Sequence, residues 1–241
     1  TSRNKLPELL ENLHNKTVNP NSFVIKSPAR VNLLGEHVDY NDGVVLPVAI
    51  DRYVTLRVDV LNEPVVRLQA ADLKAEVVFS LKDLPEKMDL SGQPLPGFAL
   101  YPAGVAWALQ QAGLPMKGLA VRYSSEIPIG AGLSSSAAVQ VGFALAWQTA
   151  GEWDIPKMEL VKLCQKAENE YVGVKSGLMD QFACAFGVAG HAMALDTRSL
   201  AWQTLSLPKD VAIVITDSGV RRSLASSTYN SLRADCQEAV E

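Results

Sequence analysis

Cysteine is scarce in this 241-residue chain. Cys164, Cys184 and Cys236 are the whole complement, far apart and in no C-x-x-C pair, which argues against a disulfide framework or a cysteine zinc site and fits a reducing cytoplasm. An excess of positive charge is missing too: the formal net charge is -4 with 20% charged residues, so neither nucleic acid nor an anionic membrane is an expected partner. The opening stretch TSRNKLPELLENLHNK is amphipathic and polar with no long apolar core, so neither a signal peptide nor a membrane span is expected there. Three familiar motifs are also absent. There is no G-x-x-x-x-G-K-[ST], Gly130 and Gly132 lack the third glycine of G-x-G-x-x-G, and His37 belongs to no H-E-x-x-H metal helix. The chain has no internal repeat and no low-complexity tract.

What is present is an ordinary globular composition, 48% hydrophobic, on a chain long enough for one large domain or two modest ones. Short strand-like segments come first: SFVIKS, VVLPVAI, VVRLQA and AEVVFS flank YVTLRVDV, whose Val54, Leu56, Val58 and Val60 alternate onto one face. Their close spacing predicts antiparallel pairing. Helices dominate from Tyr101 onward, including Ala137 to Trp147 and PKMELVKLCQKAENEYVG, where Leu160, Cys164, Ala167 and Tyr171 fall at helical spacing beside Glu168. The Pro- and Gly-rich run EKMDLSGQPLPGF predicts a surface loop. Strand-like HAMAL, WQTLSL and VAIVITDS then return, followed by a helix from about Ser227. This order predicts an α+β fold, with a first domain over 1–189 and the start of a second, truncated α+β domain over 190–241.

Two polar loops interrupt this layout. IPIGAGLSSSAAV, residues 127–139, joins a strand to a largely apolar helix. Glycines there allow a tight turn, and the helix's first amides and positive dipole end suit a phosphate; an ordinary glycine turn has the same composition. SPARVNLLGEHVDYNDG, residues 27–43, gathers Arg30, Glu36, His37, Asp39, Tyr40, Asn41 and Asp42 behind a strand. Such groups can hold a polyhydroxylated ligand such as a sugar, and a solvated turn tipped by YNDG is the simpler reading.

Taken together the loops become specific. ARVNLLGEHVDYNDGVVLPVAI resembles the galactokinase signature, and PIGAGLSSSAA is similar to the ATP-binding loop of the GHMP small-molecule kinases, the wider family. AENEYVGVKSGLMDQFACAFG resembles that family's catalytic-aspartate region, and DSGVRRSLASSTYN its sugar-contacting segment. The four motifs keep the family order from Ser27 to Asn230. The resemblance implies a GHMP-kinase-like N-terminal domain, of the ribosomal protein S5 domain 2-like type, and transfer of the γ-phosphate of Mg·ATP to the 1-hydroxyl of D-galactose by a monomer.

It also implies roles. Asp180 would face the anomeric hydroxyl as base, with Arg30 beside it keeping the carboxylate ionised and balancing charge on the moving phosphoryl group. Glu36, His37, Asp39, Gly177 and Tyr229 would hold the sugar. Gly130, Ala131, Gly132, Leu133, Ser134, Ser135 and Ser136 would wrap the ATP phosphates, and Ser136 and Glu168 would bind Mg²⁺ through the hard oxygen donors it prefers. The sequence departs from the family in small ways: Pro28-Ala29-Arg30 stands where Pro-Gly-Arg is more usual, and Glu36-His37-Val38-Asp39 where Glu-His-Thr-Asp is. The further glycine-rich segment of the family's C-terminal half has no counterpart here. Rival readings are a kinase for another sugar, such as N-acetylgalactosamine or arabinose, and a non-catalytic sensor of galactose and ATP.

Overall fold

The computed structural model describes residues 21–128, 130–217, 219 and 227–240, so the opening amphipathic stretch lies outside the described residues. Its strands are β1 (Ser22–Asn32), β2 (Val44–Val45), β3 (Pro47–Leu61), β4 (Val65–Ala70), β5 (Ala75–Ser80), β6 (Gly118–Ser125), β7 (His191–Asp196) and β8 (Trp202–Ser206). The helices are α1 (Gly97–Gln111), α2 (Ser135–Gly151), α3 (Lys157–Lys166), α4 (Met179–Phe186) and α5 (Ser227–Val240). The expected mixture of strands first and helices later is what the chain adopts.

Five strands form one sheet in the order β1-β3-β6-β4-β5. The expected antiparallel pairing holds for β1 with β3, β3 with β6 and β4 with β5. β4 and β6 instead run parallel, because the chain between them contains β5 and α1 and re-enters from the same end. Val54, Leu56 and Val58 all point into the core, as the alternation predicts. The loop expected over 86–98 ends at Pro96, because α1 begins at Gly97, and it carries the bridge of Met88 with Pro94.

The central element is α2. It packs on β1 and β3 and is flanked by α1, α3 and α4, so nearly every turn is buried, with Phe143 and Trp147 at zero exposure. A helix apolar all round is the type that fills a core, and each buried aromatic contributes roughly 2–3 kcal/mol. Gly142 lets the helix close on the sheet, since a Cβ there would lie 3.0 Å from Leu56 Cδ1. α3 carries its buried stripe Leu160, Cys164, Ala167 and Tyr171 as expected, and at Ala167–Val172 it widens into a π-helical turn, a form that often occurs at functional sites.

A second, three-stranded sheet has the order β2-β7-β8. The domain break expected between 189 and 190 falls just before β7, and β7 pairs with β2 from the first part of the chain. Val45, Val161, Phe182, Met193 and Leu195 bury together there. Of the strand expected over 211–218, residues 211–217 form no strand and are exposed, and residue 218 lies outside the described residues; Val214 is 84% exposed. Apolar alternation alone could not reveal that these residues have no neighbouring strand among the described ones. The helix expected near Ser227 is α5.

Candidate functional site

The site forms where the end of β1, the loop before α2 and the start of α4 meet. The loop's backbone is left-handed at Gly130, Gly132 and Ser134, with φ of 72, 76 and 56°. Recurring left-handed residues aim backbone amides into a concavity suited to an anion. Ser134 is the N-cap of α2 but makes no side-chain cap bond, so the helix's positive end is not closed by its own serine. A Cβ on Gly132 would meet nothing within 4 Å; open space lies on that side of the loop.

Arg30 and Asp180, far apart in sequence, form a charge-assisted pair. Arg30 Nε donates to Asp180 Oδ1 at 2.6 Å, with side chains 12% and 26% exposed. Arg30 Nη1 also donates to the Gly132 carbonyl at 2.9 Å, and the Arg30 amide reaches the Leu133 carbonyl at 3.4 Å. Burial disfavours the guanidinium charge, but Asp180 more than offsets this and the Arg30 pKa is raised. Ser134 Oγ donates to the other carboxylate oxygen of Asp180. The pair is therefore fastened to the glycine loop itself.

Asp39 stands next to this pair. A Cβ on Gly177 would lie 2.1 Å from Asp39 Oδ2 and 2.8 Å from its backbone carbon, so the missing side chain at Gly177 makes room for the aspartate. Burial and the neighbouring Asp180 push the Asp39 carboxyl up to about 6, against hydrogen bonds from the Met179 and Asp39 amides and the Arg30 charge. Glu36 and His37 are exposed on the same loop. Asn32 Nδ2 donates to Glu36 Oε1 at 3.3 Å, while the His37 ring bonds the Tyr40 hydroxyl edge-on. Tyr229 lies on α5, and its side chain is outside the described residues. That helix is tied back to the loop before α4: the Lys175 amide donates to Asn230 Oδ1 at 3.0 Å, and Arg233 Nη1 donates to the Lys175 carbonyl at 2.6 Å.

Glu168 belongs to a separate, deeper corner. It is 4% exposed, in the π turn, and both Ser176 Oγ and Gln181 Nε2 donate to its Oε2 at 2.6 Å. Burial pushes its carboxyl up to about 7, with Asp180 adding to the rise and the Ser176, Gln181 and Gln140 bonds opposing it. Tyr101 links this corner to the phosphate loop: burial and Glu168 raise its phenol, while a hydrogen bond with Ser136 pulls the other way. The sequence reading missed Tyr101, Gln140, Ser176 and Gln181. A signal was there for two of them, because Tyr101 and Gln140 each stand as a polar group within a small apolar helical run.

A sheet backed by helices, with a glycine loop opening the central one and an Arg–carboxylate pair at its mouth, is the arrangement that the comparisons with known proteins address. A family model described as the GHMP kinases N terminal domain matches residues 101–188. The galactokinase galactose-binding signature matches residues 12–59. A galactokinase of Roseiflexus sp. is 42% identical over 90% of this chain and 54% of its own length, and one of Thermotoga petrophila is 37% identical over 90% and 59%. The chain thus spans little more than half the length of these curated relatives. The structure of Lactococcus lactis galactokinase complexed with galactose superposes with a TM-score of 0.81 at 31% identity, covering 96% of this chain and 59% of that one. Methanococcus jannaschii mevalonate kinase shares the fold, with a TM-score of 0.63 at 21% identity over 78% of this chain and 57% of its own.

Proposed function

We propose that the protein is a galactokinase, transferring the γ-phosphoryl group of Mg·ATP to the 1-hydroxyl of D-galactose. The observation that carries the reading is the Arg30–Asp180 pair fastened to the carbonyl of Gly132, together with galactokinase relatives over most of the chain. Asp180 accepts the proton of the sugar hydroxyl as that oxygen bonds to the γ-phosphorus. The bond from the γ-phosphorus to the bridging oxygen breaks and ADP leaves. Arg30 pairs with the base through Nε at 2.6 Å and lies where negative charge collects during transfer. Phosphoryl transfer asks a protein mainly for position and charge balance, and a base bound directly to the phosphate loop supports both.

Gly130 to Ser136 would cradle the phosphates through backbone amides. Asp39, Glu36, His37 and Tyr229 would take the sugar hydroxyls, with Gly177 making room for Asp39. The donor set fits magnesium: Ser136 offers a hydroxyl and Glu168 a buried carboxylate whose raised pKa marks a site that gains from a neighbouring cation. Bound there, the ion would neutralise phosphate charge; Gln181 and Ser176 hold the carboxylate in place. We place the protein in the cytoplasm on its cysteine usage and charge, expect a monomer, and divide it after residue 189 into a ligand-binding part and a second part.

The test is ADP release with Mg·ATP against a sugar panel, with ³¹P NMR of the product, on this chain and on a polypeptide of its relatives' length. Galactose 1-phosphate is the expected product. Turnover with another sugar in preference to galactose, or none with any sugar in the longer polypeptide, would defeat the reading.

A further inference from the structure

We infer that Ser134 is a positioning residue for Asp180, using its hydroxyl to orient that carboxylate rather than to bind phosphate; this rests on Asp180 being the base. Three observations converge. Ser134 holds a left-handed backbone, φ 56°, which a non-glycine residue adopts at some cost. It caps α2 yet forgoes the side-chain cap bond that serine usually makes there. Its buried hydroxyl is instead directed across to α4, onto Asp180 Oδ2. The left-handed turn is what points the hydroxyl away from the helix end and toward the carboxylate.

The consequence is a carboxylate gripped at both oxygens. Arg30 Nε holds Oδ1 at 2.6 Å, Ser134 holds Oδ2, and the guanidinium and the hydroxyl are both anchored on residues 132–134, since Arg30 Nη1 rests on the Gly132 carbonyl. Two fixed donors stop the carboxylate from rotating about its terminal bond and leave its remaining lone pairs to meet the sugar proton from one direction. They also set the distance from the base to whatever the glycine loop holds. A base linked to the phosphate loop by a serine hydroxyl cannot drift from the phosphoryl group independently, and drift of about 1 Å in such a step costs up to a hundredfold in rate.

Two substitutions separate the hydroxyl from the backbone. Ser134→Gly removes the hydroxyl and is at ease with positive φ; Ser134→Asn tolerates positive φ and brings an N–H donor back. The first readout needs no turnover: the ¹³C carboxyl resonance of Asp180 in aspartate-labelled chain, assigned by its loss in Asp180→Asn. It should move in Ser134→Gly and return toward the wild-type position in Ser134→Asn, both variants melting cooperatively. A resonance indifferent to Ser134→Gly overturns the inference. The second is steady-state kinetics with galactose, where Ser134→Gly should lower kcat about tenfold or more at unchanged KM for Mg·ATP. A raised KM for Mg·ATP with kcat intact would make Ser134 a phosphate ligand and also overturn it. Absence of galactose-dependent turnover in a wild-type polypeptide of its relatives' length would defeat the galactokinase reading, while the resonance would still decide the role of Ser134.

Discussion

The two polar loops that meet at the site are built on opposite principles. In residues 35–43 the main chain closes on itself, with the Asn41 and Gly43 amides on the Val38 carbonyl, and side chains project: Glu36 and His37 outward, Asp39 into the gap left by Gly177. In residues 130–136 the main chain is the working surface, twisted by three left-handed residues, and the hydroxyls of Ser134 and Ser136 are turned to Asp180 and Tyr101. Single side-chain deletions should therefore dismantle the sugar loop contact by contact. The phosphate loop should yield only to changes that alter its backbone.

The largest effect is expected where the loops join. Asp180→Asn or Arg30→Ala should lower turnover by roughly two or more orders of magnitude, the scale of losing a base or its charge partner. Galactose binding should largely survive Asp180→Asn. Near wild-type turnover in either variant would show that the chemistry lies elsewhere.

Next come the side chains of the sugar loop. Asp39→Ala should weaken galactose by about 1–3 kcal/mol, because hydroxyl contacts vanish and neighbours are left unpaired. Gly177→Ala should reproduce that loss without touching a ligand group, since its Cβ would collide with the Asp39 carboxylate and main chain. Calorimetry showing unaltered galactose affinity in both would remove Asp39 from the pocket, and a change in nucleotide affinity would blur the distinction between the loops.

The phosphate loop gives the converse test. Ser136→Ala removes one hydroxyl, worth about 1 kcal/mol. Gly132→Val should weaken Mg·ATP more. The reason is not collision, because nothing lies within 4 Å of its Cβ position; a β-branched residue at φ 76° carries backbone strain of roughly 1–3 kcal/mol. Nucleotide titration of both variants, each with a native-like melt, should preserve that order. Unchanged binding in both would reduce the loop to a glycine turn.

How much of this was legible in the sequence follows from the range of each interaction. β3's alternation, the buried stripe of α3 and the strand–loop–helix around Gly132 are local, and the sequence displays them directly. The four motifs also carry the resemblance to galactokinases, which the relatives and the L. lactis structure bear out. The parallel pairing of β4 with β6 and the junction of β7 with β2 depend on partners far along the chain, which periodicity cannot name. The same holds within the site. Arg30 and Asp180 were read as a pair by resemblance, but the diversion of Ser134 to Asp180 needs the left-handed φ, and the Gly177–Asp39 fit needs two loops in register.

A last effect, read on stability rather than on ligand affinity or turnover, is expected from Glu168, whose surroundings contrast with those of solvent-facing Glu36. Its carboxyl is raised from 4.5 to about 7, chiefly by burial. Below pH 4.5 the folded and unfolded chains both hold the proton, so ionisation there costs nothing. Between pH 4.5 and about 7 the unfolded chain releases it while the folded one keeps it, so stability falls as pH rises; above about 7 the cost is constant. Glu168→Gln removes this dependence, and its single carbonyl oxygen can still accept from Ser176 and Gln181. In a chelator the melting temperature of the variant relative to wild type should therefore climb from pH 4.5 to 7 and then level, by on the order of 1–3 kcal/mol or a few degrees. Adding Mg²⁺ with nucleotide at pH 8 should then raise the wild-type melt more than the variant's, because the ion compensates a charge that only the glutamate has. A pH-independent difference between the two proteins would mean that Glu168 shares a proton network that holds it ionised, and the deep corner would have to be read as structural support for α4.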